Sequence, residues 1–151
     1  PEHPFVALPI YPSRFFRHAC IFVNAASGIK EPKDLIGKRI ASPEYQMTAP
    51  VWIRGILAEH HGVPVDAQPY LFGGEEEIGR VEKLKLALPP NIRVSPIGPT
   101  QTLSQMLAEG GLDALYTART PSSRSHRSTS GRRSSTMRRC KMLSPTFSSD
   151  G

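Results

Sequence analysis

A chain of 151 residues with 38% hydrophobic and 21% charged side chains is long enough for one domain with a core. No run approaches the ~20 apolar residues of a membrane span, and two cysteines cannot make a disulfide framework or a metal-ligand cluster. The net charge of +6 would suggest nucleic acid, but residues 1–121 carry 12 basic and 12 acidic side chains, and residues 122–151 carry seven and one.

The first apolar runs, Phe5 to Ile10 and Ala19 to Val23, read as short strands, with Cys20 as a small buried apolar residue. Between them lies Tyr11 to His18, where Arg14, Arg17 and His18 are concentrated on a loop, the usual carrier of binding residues. Solvated surface charge is the plainer reading for all three.

The stretch from Asp34 to Gly62 organises the chain. It reads as a helical turn closed by Gly37, a strand at Lys38 to Ser42, a connection at Pro43 to Met47 and an amphipathic helix ending near Gly62. Trp52, Ile53, Ile56 and Leu57 form the apolar stripe, Thr48 is the expected N-cap and Pro50 suits a first turn. A strand feeding a helix in this way leaves backbone N–H groups at the carboxyl edge of a sheet, which favours an anionic ligand.

Val65 to Phe72 reads as another strand, ending at Gly73-Gly74. Glu75, Glu76 and Glu77 then read as the solvated first turn of a helix ahead of Val81-Glu82-Lys83-Leu84. Pro89-Pro90 precedes a strand at Asn91 to Ile97. A second unit follows: Thr100 or Thr102 caps a helix with the stripe Leu103, Met106 and Leu107, Gly110-Gly111 ends it, and Leu112 to Thr117 is the next strand. Strands alternating with helices predict an α/β fold with a mainly parallel sheet. The connections at Tyr45 to Thr48 and Thr117 to Thr120 would then share one cleft.

From Ser122 the chain is dominated by Ser and Arg without apolar periodicity, so a disordered tail is expected over 122–151. An RNA-binding tail is one reading, but the body lacks an aromatic stacking platform. An out-of-frame tail is the favoured one: shifting a back-translation of Arg139 to Phe147 by one nucleotide permits V-Q-D-A-F-P-D-F.

Several segments together resemble the 4,5-dihydroxyphthalate decarboxylase family, which is related to ABC-transporter substrate-binding proteins and to the thiamine-precursor synthesis proteins. They are P-S-R-F-F-R-H-A-C-I-F-V-N (Pro12 to Asn24), D-L-I-G-K-R-I (Asp34 to Ile40), P-E-Y-Q-M-T-A-P-V-W-I-R-G-I-L (Pro43 to Leu57), Gly73 to Leu84, and Pro99 to Pro121. The resemblance implies a two-lobed fold of the periplasmic-binding-protein type II kind. On that basis residues 1–23 are the remnant of a first lobe with a crossover strand, and 24–121 form most of the second lobe. Family chains are longer at both ends and continue with a segment like V-x-R-L-F-P-D-F where this one has its tail. A chain with half the cleft walls is expected to be inactive and aggregation-prone.

The implied reaction is non-oxidative loss of CO2 from 4,5-dihydroxyphthalate, giving protocatechuate. Such a site needs cations for two carboxylates, an acid for the ring carbon and a base for the phenol. Arg14, Arg17 and Arg119 are the candidate carboxylate clamps, and the amides near Gln46 to Ala49 would take the second carboxylate. His18 is the candidate acid or base. Tyr45 and Thr48 would bind hydroxyls, with Gln46, Met47 and Thr117 completing the substrate set. His60 and His61 are expected to be helix-terminal surface residues.

No cofactor and no metal are expected, although Glu75 to Glu77 and His18 could meet around a divalent ion in three dimensions. The expected partner is a small aromatic dicarboxylate, with no nucleic acid and no membrane. The competing reading is a solute-binding protein that captures a small anion without chemistry. A cytoplasmic location is expected for the enzyme, since no export leader is visible, and a periplasmic one for the solute binder.

Overall fold

The computed structural model describes residues 16–83, 86–124 and 140–143. The strand expected at Phe5 to Ile10, the side chain of Arg14, Leu84 and most of the Ser/Arg-rich stretch lie outside these residues.

Asp34 builds the first local structure. Its carboxylate accepts from the amides of Lys30 (2.8 Å) and Glu31 (3.1 Å), starting a 3-10 turn at Pro32–Leu35 with a capping box. Gly37 leaves that turn with φ +73°, a conformation costly for any residue with a Cβ. Strand β2 (Ile40–Ser42) follows, then helix α1 (Thr48–His61), which Gly62 ends in the left-handed conformation at φ 63°. The N-cap is Met47, not Thr48; Thr48 is the first helical residue and is exposed.

The buried stripe of α1 is Ala49, Pro50, Ile53, Arg54 and Leu57. Trp52 was expected in it but is 60% exposed, because a helix lying on a sheet buries positions four apart and Trp52 sits about 100° around the axis from Ile53.

Strand β3 (Tyr70–Phe72) uses only the end of the expected run, because the Tyr70 hydroxyl donates to the Val65 carbonyl (2.8 Å) and holds the preceding residues in turns. Strand β4 is Val94–Pro96 and helix α2 is Leu103–Glu109. Thr102 caps α2 by accepting from the Gln105 amide (3.4 Å), and Gly110 ends it. Strand β5 is Ala114–Tyr116, and β1 is Ile21–Asn24, preceded by a 3-10 turn at Arg17–Cys20. The helix expected after Glu75 does not form. Gly79 stands there at φ +86°, which an α-helix cannot accommodate, and the described residues 73–83 are loop.

Two short elements fall within the Ser/Arg-rich stretch. They are a 3-10 turn at Ser122–Arg124 and strand β6 (Cys140–Met142), so the expectation of disorder does not extend to them.

The sheet order is β4-β3-β2-β5-β1-β6. Strand β2 runs parallel to β3 and β5, and β4 parallel to β3, whereas β1 is antiparallel to both β5 and β6. Alternation along the strands divides the core in two. Ile21, Val23, Ile40, Tyr70, Ala114 and Tyr116 pack with Ile53 and Leu57 of α1. Phe22, Ala41 and Leu115, from the intervening positions, pack with Leu103 and Leu107 of α2, and Cys140 joins them. The fold is therefore α/β, with one helix on each face. Asn24 closes β1 and donates to the Leu107 carbonyl (2.6 Å), tying the strand to α2.

Arg39 and Asp113 precede the paired strands β2 and β5. The Asp113 carboxylate accepts from the Arg39 amide (2.9 Å), Nε (3.0 Å) and Nη2 (3.1 Å). Burial alone would raise the Asp113 carboxyl, but the Arg39 hydrogen bonds outweigh it and hold the group below its ordinary value of 3.8. A depressed carboxylate stabilises above that value and ceases to do so as the pH falls through its folded value. With Arg39 half-exposed, Asp113→Asn should cost about 1 kcal/mol in urea unfolding near neutral pH, and the difference from wild type should fade in acid.

Candidate functional site

Parallel pairing brings the carboxyl ends of β2, β3 and β5 to one edge of the sheet. The three connections leaving that edge enclose a cleft of about 430 Å³, lined by Pro43 and Met47 after β2, by Gly74 to Arg80 after β3, and by Thr117 to Arg119 after β5. This is the edge at which open α/β sheets bind ligands.

The loop after β3 is shaped by Gly74. A Cβ there would lie 1.5 Å from the Glu77 carbonyl oxygen, so only glycine lets the chain fold back over itself at this point. The start of α2 then holds the loop from behind: the Leu103 amide donates to the Gly74 carbonyl (2.9 Å) and the Ser104 amide to the Glu75 carbonyl (3.0 Å).

The glutamates that follow have separate environments. Glu75 is half-buried and accepts from the Thr117 hydroxyl (2.7 Å), which itself accepts from the Arg119 amide (3.2 Å). Burial pushes the Glu75 carboxyl above its ordinary 4.5; Thr117, Arg119 and Arg80 oppose the rise and Glu76 adds to it. Burial acts upward on Glu76 as well, but hydrogen bonds from the Ser122 amide (2.8 Å) and hydroxyl (2.7 Å) hold its carboxyl below that value. Adjacent carboxyls are thus driven apart, the arrangement that separates an acid from a base. Glu77 is exposed.

Two arginines line the cleft. Arg119 is exposed, and Arg80 donates through Nε to the buried Glu44 (3.0 Å). Glu82, two residues beyond Arg80, accepts from the amides of Tyr45 (3.0 Å) and Gln46 (3.3 Å). The Gln46 amide is one of those expected to receive a ligand carboxylate, and a carboxylate of the chain itself is bound there.

Of the residues singled out in the sequence, Met47, Thr117 and Arg119 are brought together in the cleft. Tyr45 is not: it is buried, with the Arg54 guanidinium 3.7 Å above its ring and Tyr70 packed edge-on at 5.2 Å. Arg54 also donates to the Tyr45 carbonyl (2.7 Å), so Tyr45 supports the connection from inside the core. Gln46 is engaged through its amide, and neither it nor Thr48 lines the cleft.

Arg17 and His18 occupy the 3-10 turn before β1, and neither lines the cleft. The His18 ring stands 6.5 Å from that of His61, the last residue of α1, at the end of the helix opposite Met47. His61 is half-buried; burial lowers its pKa, and the neighbouring His18 and His60 lower it further. Arg14 lies outside the described residues. Among those residues no three His, Cys, Asp or Glu side chains are placed to share a metal ion.

Glu75 and Arg80 line the cleft and were not among the residues expected to bind substrate. A signal was present in the Gly-Gly pair that ends β3, because a strand followed by glycines delivers the next side chains to the strand's carboxyl edge. A helical reading of the glutamates concealed it.

The raised Glu75 carboxyl has a consequence for stability. A carboxyl raised by folding contributes stability that is fully present below its ordinary value of 4.5 and is lost as the pH climbs through the folded value. Wild type should therefore lose melting temperature relative to Glu75→Gln as the pH is taken from 4.5 to about 7. A constant difference across that range would show that Glu75 is as well solvated in the fold as outside it.

No family model matches the chain. It is 48% identical over 119 residues to a 4,5-dihydroxyphthalate decarboxylase of Pseudomonas putida, covering 79% of this chain and 46% of that protein. It is 43% identical over 119 residues to a protein of the same name from Comamonas testosteroni, covering 79% of this chain and 36% of that protein. The chain thus spans less than half the length of these curated relatives. Over the matched stretch, it belongs to the 4,5-dihydroxyphthalate decarboxylase family.

Proposed function

We propose that the cleft binds 4,5-dihydroxyphthalate and serves its non-oxidative decarboxylation to protocatechuate and CO2. The observation that carries this reading is the similarity to two curated proteins named for that activity. Neither is named as a solute-binding protein, and nothing favours capture without chemistry. We read the sheet as one lobe of a two-lobed fold of the periplasmic-binding-protein type II kind, in which the second carboxylate and the hydroxyls meet groups beyond this cleft. A cytoplasmic location suits the reaction, and among the described residues no helix is long and apolar enough to cross a membrane.

The chemistry is difficult because a carbanion formed by direct loss of CO2 lies in the ring plane and cannot delocalise. Protonating the ring carbon that bears the leaving carboxylate avoids it, since the para hydroxyl donates electron density as the proton arrives. Arg119 is the clamp for a carboxylate of the substrate, where its planar guanidinium can donate two parallel hydrogen bonds. Arg80 is a second cation on the same wall, already paired with Glu44. Met47 and Thr117 flank the ring. No step in this reading calls on a cofactor.

Titration of the labelled chain with 4,5-dihydroxyphthalate, followed by amide chemical shifts, tests the reading. Binding at about 1 mM or tighter is expected, with the largest shifts at Met47, Thr117 and Arg119. Arg119→Ala should weaken binding about tenfold or more, the worth of a charge-assisted hydrogen bond. Absence of binding, or shifts confined to another face, would overturn the proposal. Protocatechuate release from the same samples tests the expectation that a cleft with these walls alone does not turn over.

A further inference from the structure

Ring protonation needs an acid that faces the substrate and holds its proton more tightly than an ordinary carboxyl. His18 stands beside the far end of α1 and does not line the cleft. Among carboxyls close to the cleft, Glu44 is bound to Arg80, Glu82 to two backbone amides, and Glu76 to the amide and hydroxyl of Ser122. Glu44 and Glu82 are thereby committed to partners within the chain, and the Ser122 hydrogen bonds hold the Glu76 carboxyl below its ordinary value. Glu77 is exposed to water.

Glu75 differs. It lines the cleft, is half-buried, and among the described residues its carboxylate receives one hydrogen bond, from the neutral Thr117 hydroxyl to Oε2. Its backbone is fixed by the start of α2 and by the tight Gly74 turn. The charged groups facing it are Glu76, Arg119 and Arg80.

We propose that Glu75 is the proton donor to the ring carbon of the dicarboxylate held against Arg119, an inference that rests on the decarboxylase reading of the cleft. Thr117 pins Oε2, and Oε1 carries the proton. The proton passes to the ring carbon bearing the carboxylate while the para hydroxyl supplies electron density. The bond between that carbon and the carboxylate then breaks, its electron pair re-enters the ring, and neutral CO2 leaves. Glu75 is left ionised and recovers a proton from water, so one proton is consumed for each CO2 released. The raised affinity of Glu75 for its proton accords with this role and would increase further beside a bound dianion.

The test is a carboxyl-13C titration of the full chain labelled in glutamate, with Glu75→Gln identifying the resonance, run without ligand and with 4,5-dihydroxyphthalate. Glu75 should titrate above 4.5 in the free chain and move higher when the dianion binds, whereas catechol, which lacks carboxylates, should not move it. Bound dianion with no change at Glu75, or a free-chain value at or below 4.5, overturns this inference and leaves the functional reading standing. Failure of the dianion to bind at all sinks the reading and the inference with it. Wherever protocatechuate release is measurable, Glu75→Gln should reduce it about 100-fold or more with affinity within about threefold. Glu75→Asp should retain part of it and shift the pH profile, and Glu59→Gln on the outer face of α1 should match wild type. Release by Glu75→Gln within about threefold of wild type would overturn the assignment.

Discussion

Parallel pairing of β2 with both β3 and β5 is the constraint from which the rest of the structure follows. Parallel neighbours end at the same edge, so the segments that leave them must meet there. The same pairing compels β2 to be buried on both faces, and Ile40 and Ala41 enter different halves of the core. Antiparallel β1 then adds a strand on the far side of β5, and the Cys20 carbonyl accepts from the Thr117 amide at the rim.

The rim is dense in charge of both signs, and nearly all of it is engaged. Arg80 is tied to Glu44, Glu82 to the amides ahead of α1, and Glu76 to Ser122. These contacts fix three loops to one another without regular secondary structure between them. Beneath them Arg54 lies in the core against the faces of the Tyr45 and Tyr70 rings, one nitrogen bonded to the Tyr45 carbonyl. Among the described residues no carboxylate forms an ion pair with it; burying a guanidinium in this way is expensive, and the aromatic faces offset part of that cost. Its return is a rigid connection from β2 to α1. Two of the groups left less committed in the cleft, Arg119 and Glu75, are the ones the proposed chemistry uses.

Much of the architecture was legible beforehand, for local reasons. Gly37, Gly62 and Gly110 mark the ends of their elements because positive φ is cheap only without a Cβ. The Leu103, Met106 and Leu107 stripe reports α2 because side chains three and four positions apart fall on one face of a helix and on opposite faces of a strand. The cleft lining was legible in part: following the strand to its end leads to Thr117 and Arg119, which line it. Tyr45 does not line this cleft: a tyrosine after a strand suits a pocket and a core equally well, and burial against Arg54 decides between them. His18 was favoured on intrinsic acidity, a property that carries no information about position.

What the amino-acid order by itself determined is the set of elements that local backbone preference and apolar spacing impose, together with the membership of a decarboxylase family over most of the chain. What only the tertiary structure decided is which side chains share a hollow. Glu75 and Thr117 are 42 positions apart, and Arg80 and Glu44 are 36 apart. Such pairs form because separate strands stop at one edge of a sheet, a relation with no signature in either residue's own neighbourhood. For the same reason the run of three glutamates read as one solvated turn, although folding gives each a different partner and a different degree of burial.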